Sequence, residues 1–89
     1  MTIDIGTLWA RLRDHEGENF TQIRGGKFTY TVTESAVIPD RTNRTFPRSD
    51  FQKALELVPL ASTVPVSHLQ GPSYLYAILM DDRISRGDW

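Results

Sequence analysis

The sequence predicts an α+β fold: a three-stranded antiparallel meander, with an N-terminal helix and two C-terminal helices packed on one face. Three observations lead there. Two alternating, β-prone segments, residues 19–24 and 27–32, flank the pair Gly25-Gly26. Ile5, Leu8, Trp9 and Leu12 recur at the spacing of one helical face. Two apolar stretches near the end of the chain, opened by Ser49 and by Pro72, have the marks of helix starts.

The first helix is expected over residues 4–15. Asp4 or Thr2 would cap its start and Gly17 would follow its end. The hairpin comes next. With Gly25-Gly26 as a two-residue turn, Arg24 faces Lys27, Ile23 faces Phe28, Thr21 faces Tyr30 and Asn19 faces Val32. Pleating then gathers Thr21, Ile23, Phe28, Tyr30 and Val32 on one face. The other face is polar except for Phe20. Ala36-Val37-Ile38, stopped by Pro39, supplies a third, edge strand, and Thr45-Phe46 a brief extended piece.

Ser49-Asp50-Phe51-Gln52 has the capping-box pattern, so the second helix is expected over 50–58 with Pro59 as its stop. A connector from Leu60 to Gln70 leads to a third helix over 72–82, and residues 84–89 are expected to fray. The core is drawn from Leu8, Trp9, Leu12, Ile23, Phe28, Tyr30, Val37, Phe51, Leu55, Leu75, Ile78 and Leu79. The order of elements departs from a winged helix. The connector is also too long for a helix-turn-helix.

Eighty-nine residues make one small domain, 1–89, whose thin core buries about 60–65% of the unfolded surface. Without cysteine there is no disulfide framework and no thiolate metal site. The sequence carries no leader pattern and no membrane-spanning run, so a cytoplasmic protein without a membrane partner is expected.

Net charge is −1, but it is unevenly spread. Residues 1–19 hold two basic and four acidic side chains, net −2. Residues 20–53 hold six and three, net +3, and residues 54–89 hold two and four, net −2.

Catalytic chemistry finds little support. His68 beside Ser67 does not make a dyad, since sequence neighbours point apart. Asp81-Asp82 would sit at a helix C-terminus, against the dipole, and lacks metal-loop spacing. No cofactor, metal site or enzymatic activity is expected. Arg86-Gly87-Asp88 spells an adhesion tripeptide of a kind that recurs by chance.

The arginine cluster carries more weight. Arg41, Arg44 and Arg48, interleaved with Asn43 and two threonines, offer guanidinium forks for phosphates and hydrogen bonds for sugar or base edges. Arg24 and Lys27 at the hairpin turn extend that surface and could share an anion. A nucleic-acid-binding module using Arg24, Lys27, Arg41, Asn43, Arg44 and Arg48 is the leading expectation. The plainer alternative is a solvated loop whose arginines pair with the acidic flanks. A protein-interaction or homodimer module built on Phe20, Phe46 and Trp89 is the second functional reading.

Overall fold

The computed structural model describes residues 3–89. Helix α1 (Ile5–Asp14) forms where the apolar spacing places it, capped by the Asp4 carboxylate, which accepts from the Thr7 N–H at 2.7 Å. Thr2, the other candidate cap, lies outside the described residues. Leu8, Trp9 and Leu12 are buried. The Trp9 indole meets Phe51 edge-on at 5.5 Å, and its N–H donates to the Thr33 carbonyl, so its one polar atom is satisfied.

The hairpin forms in a different register from the expected one. Strand β1 (Phe20–Thr21) pairs antiparallel with β2 (Lys27–Phe28), with Phe20 opposite Phe28 and Thr21 opposite Lys27. The turn is five residues, Gln22 to Gly26. It is closed by Gln22 N–H to the Gly26 carbonyl and Gly25 N–H to the Gln22 carbonyl. Gly25 carries the positive φ, +90°.

Relative to a two-residue turn this is a slip by an odd number of residues, which exchanges the faces of the first strand. Phe20 goes into the core and Ile23 is left 56% exposed. The energetics favour that exchange. Ile23 forgoes part of the ~1.5–3 kcal/mol of a buried aliphatic. Phe20 recovers a comparable amount and adds contacts to Phe28 and Tyr30 at 6.1 and 5.2 Å, each worth about 0.5–1.5 kcal/mol. The slip also relieves the like-charge pairing, because Lys27 now faces Thr21 rather than Arg24.

At Thr29 the chain leaves this ladder and enters a second one. Strands β3 (Tyr30–Val32), β4 (Ala36–Pro39) and β5 (Phe46–Pro47) make a three-stranded antiparallel sheet in that order. The α+β architecture with a three-stranded antiparallel meander is therefore the observed one. Its strands are the second half of the expected hairpin, the Ala36–Pro39 run and the brief Phe46 piece, paired as Val32 with Val37 and Val37 with Phe46. Thr33 turns β3 into β4, its hydroxyl accepting from the Ala36 and Ser35 N–H groups.

Helix α2 (Arg48–Leu55) begins earlier than the capping box implies. Pro47 is its cap, and Ser49 lies inside the first turn. The Arg48 N–H is taken by the Ser35 carbonyl, which ties the helix start to the β3–β4 turn. Asp50, only 9% exposed, accepts from the Gln70 N–H at 3.0 Å and so pins the far end of the connector. Within that connector Val66 is buried in a single 3₁₀ turn, Val64–Val66.

Helix α3 (Pro72–Leu79) also ends sooner than expected, and a short α4 (Asp82–Ser85) follows. Asp81 caps α4 by accepting from the Arg83 N–H. The two carboxylates thus lie at a helix start, where the dipole favours them, and the anomaly read from the sequence disappears. The tail expected to fray is docked. Ile84 and Ser85 are buried, Arg11 donates to both their carbonyls, and the Trp89 indole N–H donates to the Leu79 carbonyl at 2.7 Å.

Of the expected core only Ile23 is out of place. Phe20, Phe46, Leu60, Val66 and Ile84 join it. The tightest point is Gly71, in the left-handed region at φ 62°, where a Cβ would lie 2.5 Å from the Phe46 ring. Gly17, at φ +84°, has nothing within 4 Å. Gly71→Ala should therefore cost about 2–4 kcal/mol, backbone strain plus overpacking, and Gly17→Ala only about 1 kcal/mol. Urea unfolding midpoints of the two variants measure the difference.

Candidate functional site

Pro39 ends β4, and the chain then runs as a loop to β5. Asp40 fastens the start of that loop to the hairpin: its N–H donates to the Thr29 carbonyl and its carboxylate accepts from the Thr29 N–H. Thr42 shapes the next turn, its hydroxyl accepting from the Arg44 N–H.

The six residues expected to form an anion site fall into three places. At the hairpin turn, Arg41 donates to the Lys27 carbonyl at 3.0 Å, and Arg24 lies in the same turn. Asn43 and Arg44 line an open depression of about 920 Å³ together with Ser35, Pro47 and Gln70. Arg48 stands apart, with its guanidinium over the Trp9 ring at 5.1 Å and an N–H on the Glu34 carbonyl. Arg48 therefore serves the body of the protein first.

A second concavity was not legible in the sequence. Gln22, Ile23, Arg24, Thr63, Pro72 and Ser73 line a cleft of about 360 Å³ between the hairpin turn, the 3₁₀ turn and the first turn of α3. The Gln22 amide donates to the Ser73 hydroxyl at 3.2 Å and bridges two of its walls. Three separate segments build it, so no local pattern announces it.

Charge pairing divides the molecule. Arg11 pairs with Asp88, Arg83 with Asp81 and Glu18, and Arg86 with Asp14. All but the Arg83–Asp81 pair link the two acidic ends of the chain to each other. Among the described residues, none of Arg24, Lys27, Arg41, Arg44 and Arg48 forms an ion pair, so the loop arginines do not neutralise the acidic flanks. Arg13 and Lys53, on α1 and α2, are likewise unpaired.

The best-connected cation is Arg83. It grips both oxygens of Asp81, donates to Glu18 and to the Asn19 carbonyl, and covers the Phe20 ring at 4.0 Å. Those bonds, Asp81 foremost, hold its guanidinium firmly in the charged form. The Arg83 hydrogen bonds in turn hold the Asp81 carboxyl below its ordinary range. Glu18 is held down by its hydrogen bond from His15, with Arg83 adding to the effect. Burial pushes the Tyr30 hydroxyl well above its ordinary value, and it donates to the Leu12 carbonyl.

The remaining candidates find ordinary places. His68 is exposed. Arg86-Gly87-Asp88 is occupied by its pairs to Asp14 and Arg11. Phe20 and Phe46 are 1% exposed and Trp89 is half-buried, so the anchors named for a protein interface are not free. The large apolar side chains that stand out are Ile23, Leu57 and Val64. No described helix is long and apolar enough to cross a membrane.

No protein-family model, curated protein or solved structure matches this chain. Function must therefore be read from the chain's own geometry.

The Arg83 cluster sets an acid limit. Asp81 and Glu18 bind protons more weakly folded than unfolded, so their contribution is complete well above their ordinary values of 3.8 and 4.5. It is lost as pH falls through the lower, folded values. Arg83→Gln should flatten the fall in melting temperature below about pH 4.5 relative to the parent, as followed by calorimetry.

Proposed function

We propose that this chain is a non-catalytic binding module for an anionic polymer, with nucleic acid as the partner class. Arg24, Lys27, Arg41, Asn43 and Arg44 would make the phosphate contacts. The observation that carries this reading is the division of charge: Arg11, Arg83 and Arg86 near the chain ends are held by carboxylates, Arg13 excepted, and the cations of the hairpin turn and the 40–45 loop are not. An unpaired guanidinium can exchange solvent and counterions for a phosphate without first breaking an internal bond. Arg41 is fixed by its bond to the Lys27 carbonyl, which lowers the ordering cost of using its remaining N–H groups.

The chemistry favours backbone contacts. Trp9, Phe20, Phe28, Tyr30, Phe46 and Phe51 are all buried, and a strand-length stacking platform needs exposed rings. With an overall charge of −1, attraction is confined to the local surface and fades quickly with salt.

Titrating labelled oligonucleotides across a salt series tests the reading. Arg44→Gln should lower the log–log salt slope by about 0.7–0.9, and Arg13→Gln on α1 should leave it unchanged. Binding too weak to measure at low salt, or equal effects of the two variants, would sink it.

A further inference from the structure

We infer that the cleft beside the hairpin turn receives one unstacked nucleotide of a single strand, a refinement that rests on the nucleic-acid reading above. Its volume, about 360 Å³, lies near the lower end of the ~300–1,000 Å³ span of small-ligand sites, so it suits one ring system rather than a chain segment. Ile23 and Pro72 give it apolar walls, against which the flat face of a base can leave water. Gln22, Thr63 and Ser73 supply both donors and acceptors, the mixture that base edges present.

Arg24 is the charged member of the lining, and no carboxylate lines the cleft. Lys27 and Arg41 continue the positive charge along the same turn. A base in the cleft thus has Arg24 beside it for its phosphate, with Lys27 and Arg41 nearby in the chain fold at the same turn. The exposure of Ile23 then has a use: an aliphatic side chain held 56% in water at a hairpin turn gains by being covered.

Buried aromatics leave the surface without a continuous stacking track, so base contact is concentrated at this one place. Duplex DNA keeps its bases stacked and paired, and would have to extrude one to use the cleft. The cleft therefore adds affinity for single strands only. A polyglutamate-like peptide would meet the same cations but has no planar ring to cover the apolar lining that Ile23 and Pro72 supply.

The test is fluorescence anisotropy of the full chain with labelled oligothymidylate, a duplex of equal length and polyglutamate at low salt, repeated with Ile23→Asn. Ile23 is exposed, so the variant should keep the parent's far-UV spectrum and melting temperature. The expected result is tighter binding to the single strand than to the duplex, with Ile23→Asn weakening only the single strand, by about tenfold. An unchanged single-strand affinity in Ile23→Asn, or equal binding of the duplex, overturns the cleft and leaves the phosphate reading standing, whereas equal binding of polyglutamate overturns both. No binding of either nucleic acid overturns both. As a check that needs no variant, amide shifts on adding thymidine monophosphate should centre on Gln22 to Arg24 and Ser73. Shifts confined to residues 41–44 would overturn the cleft assignment.

Discussion

The Arg83 guanidinium lies 4.0 Å from the Phe20 ring, and the burial of that ring is the constraint on which the hairpin register rests. Phe20 sits between the arginine and the rings of Phe28 and Tyr30, so one side chain joins the C-terminal segment to both β ladders. Burying it fixes which way β1 faces. Arg83 can remain there because Asp81, Glu18 and the Asn19 carbonyl satisfy its donors, leaving no buried polar atom unpartnered among the described side chains.

Much of this architecture is legible in the residues themselves. Ile5, Leu8, Trp9 and Leu12 mark α1 by spacing alone, because a one-sided helix must show its stripe. The hairpin was visible too, but its register was not. Two adjacent glycines suggest a two-residue turn, and in that register one large aromatic, Phe20, would remain on the wet face. The chain resolves the conflict by lengthening the turn, a tertiary choice that depends on Phe28, Tyr30 and a residue sixty-three positions away, Arg83. A similar distant partner explains α2. Ser49-x-x-Gln52 reads as a cap locally, yet the Ser35 carbonyl claims the Arg48 N–H and the helix starts there.

The site was legible only as charge. The central excess of basic residues is plain in the sequence, and the structure leaves those cations without carboxylates, Arg48 being diverted onto Trp9. What composition cannot convey is which positive charges are already spoken for. That depends on contacts such as Arg11 to Asp88, between residues at opposite ends of the chain. The cleft was hidden for the same reason, since its lining comes from a turn, a connector and a helix start.

Gly71 separates the two concavities: Gln70 on one side of it lines the broad depression, and Pro72 on the other lines the narrow cleft. Because residue 71 presents bare backbone to the Phe46 ring, this ridge lies flush on β5 with no slack beneath it. A side chain placed at residue 71 would therefore press on that ring and displace the two residues beside it in the chain, one of them lining each hollow.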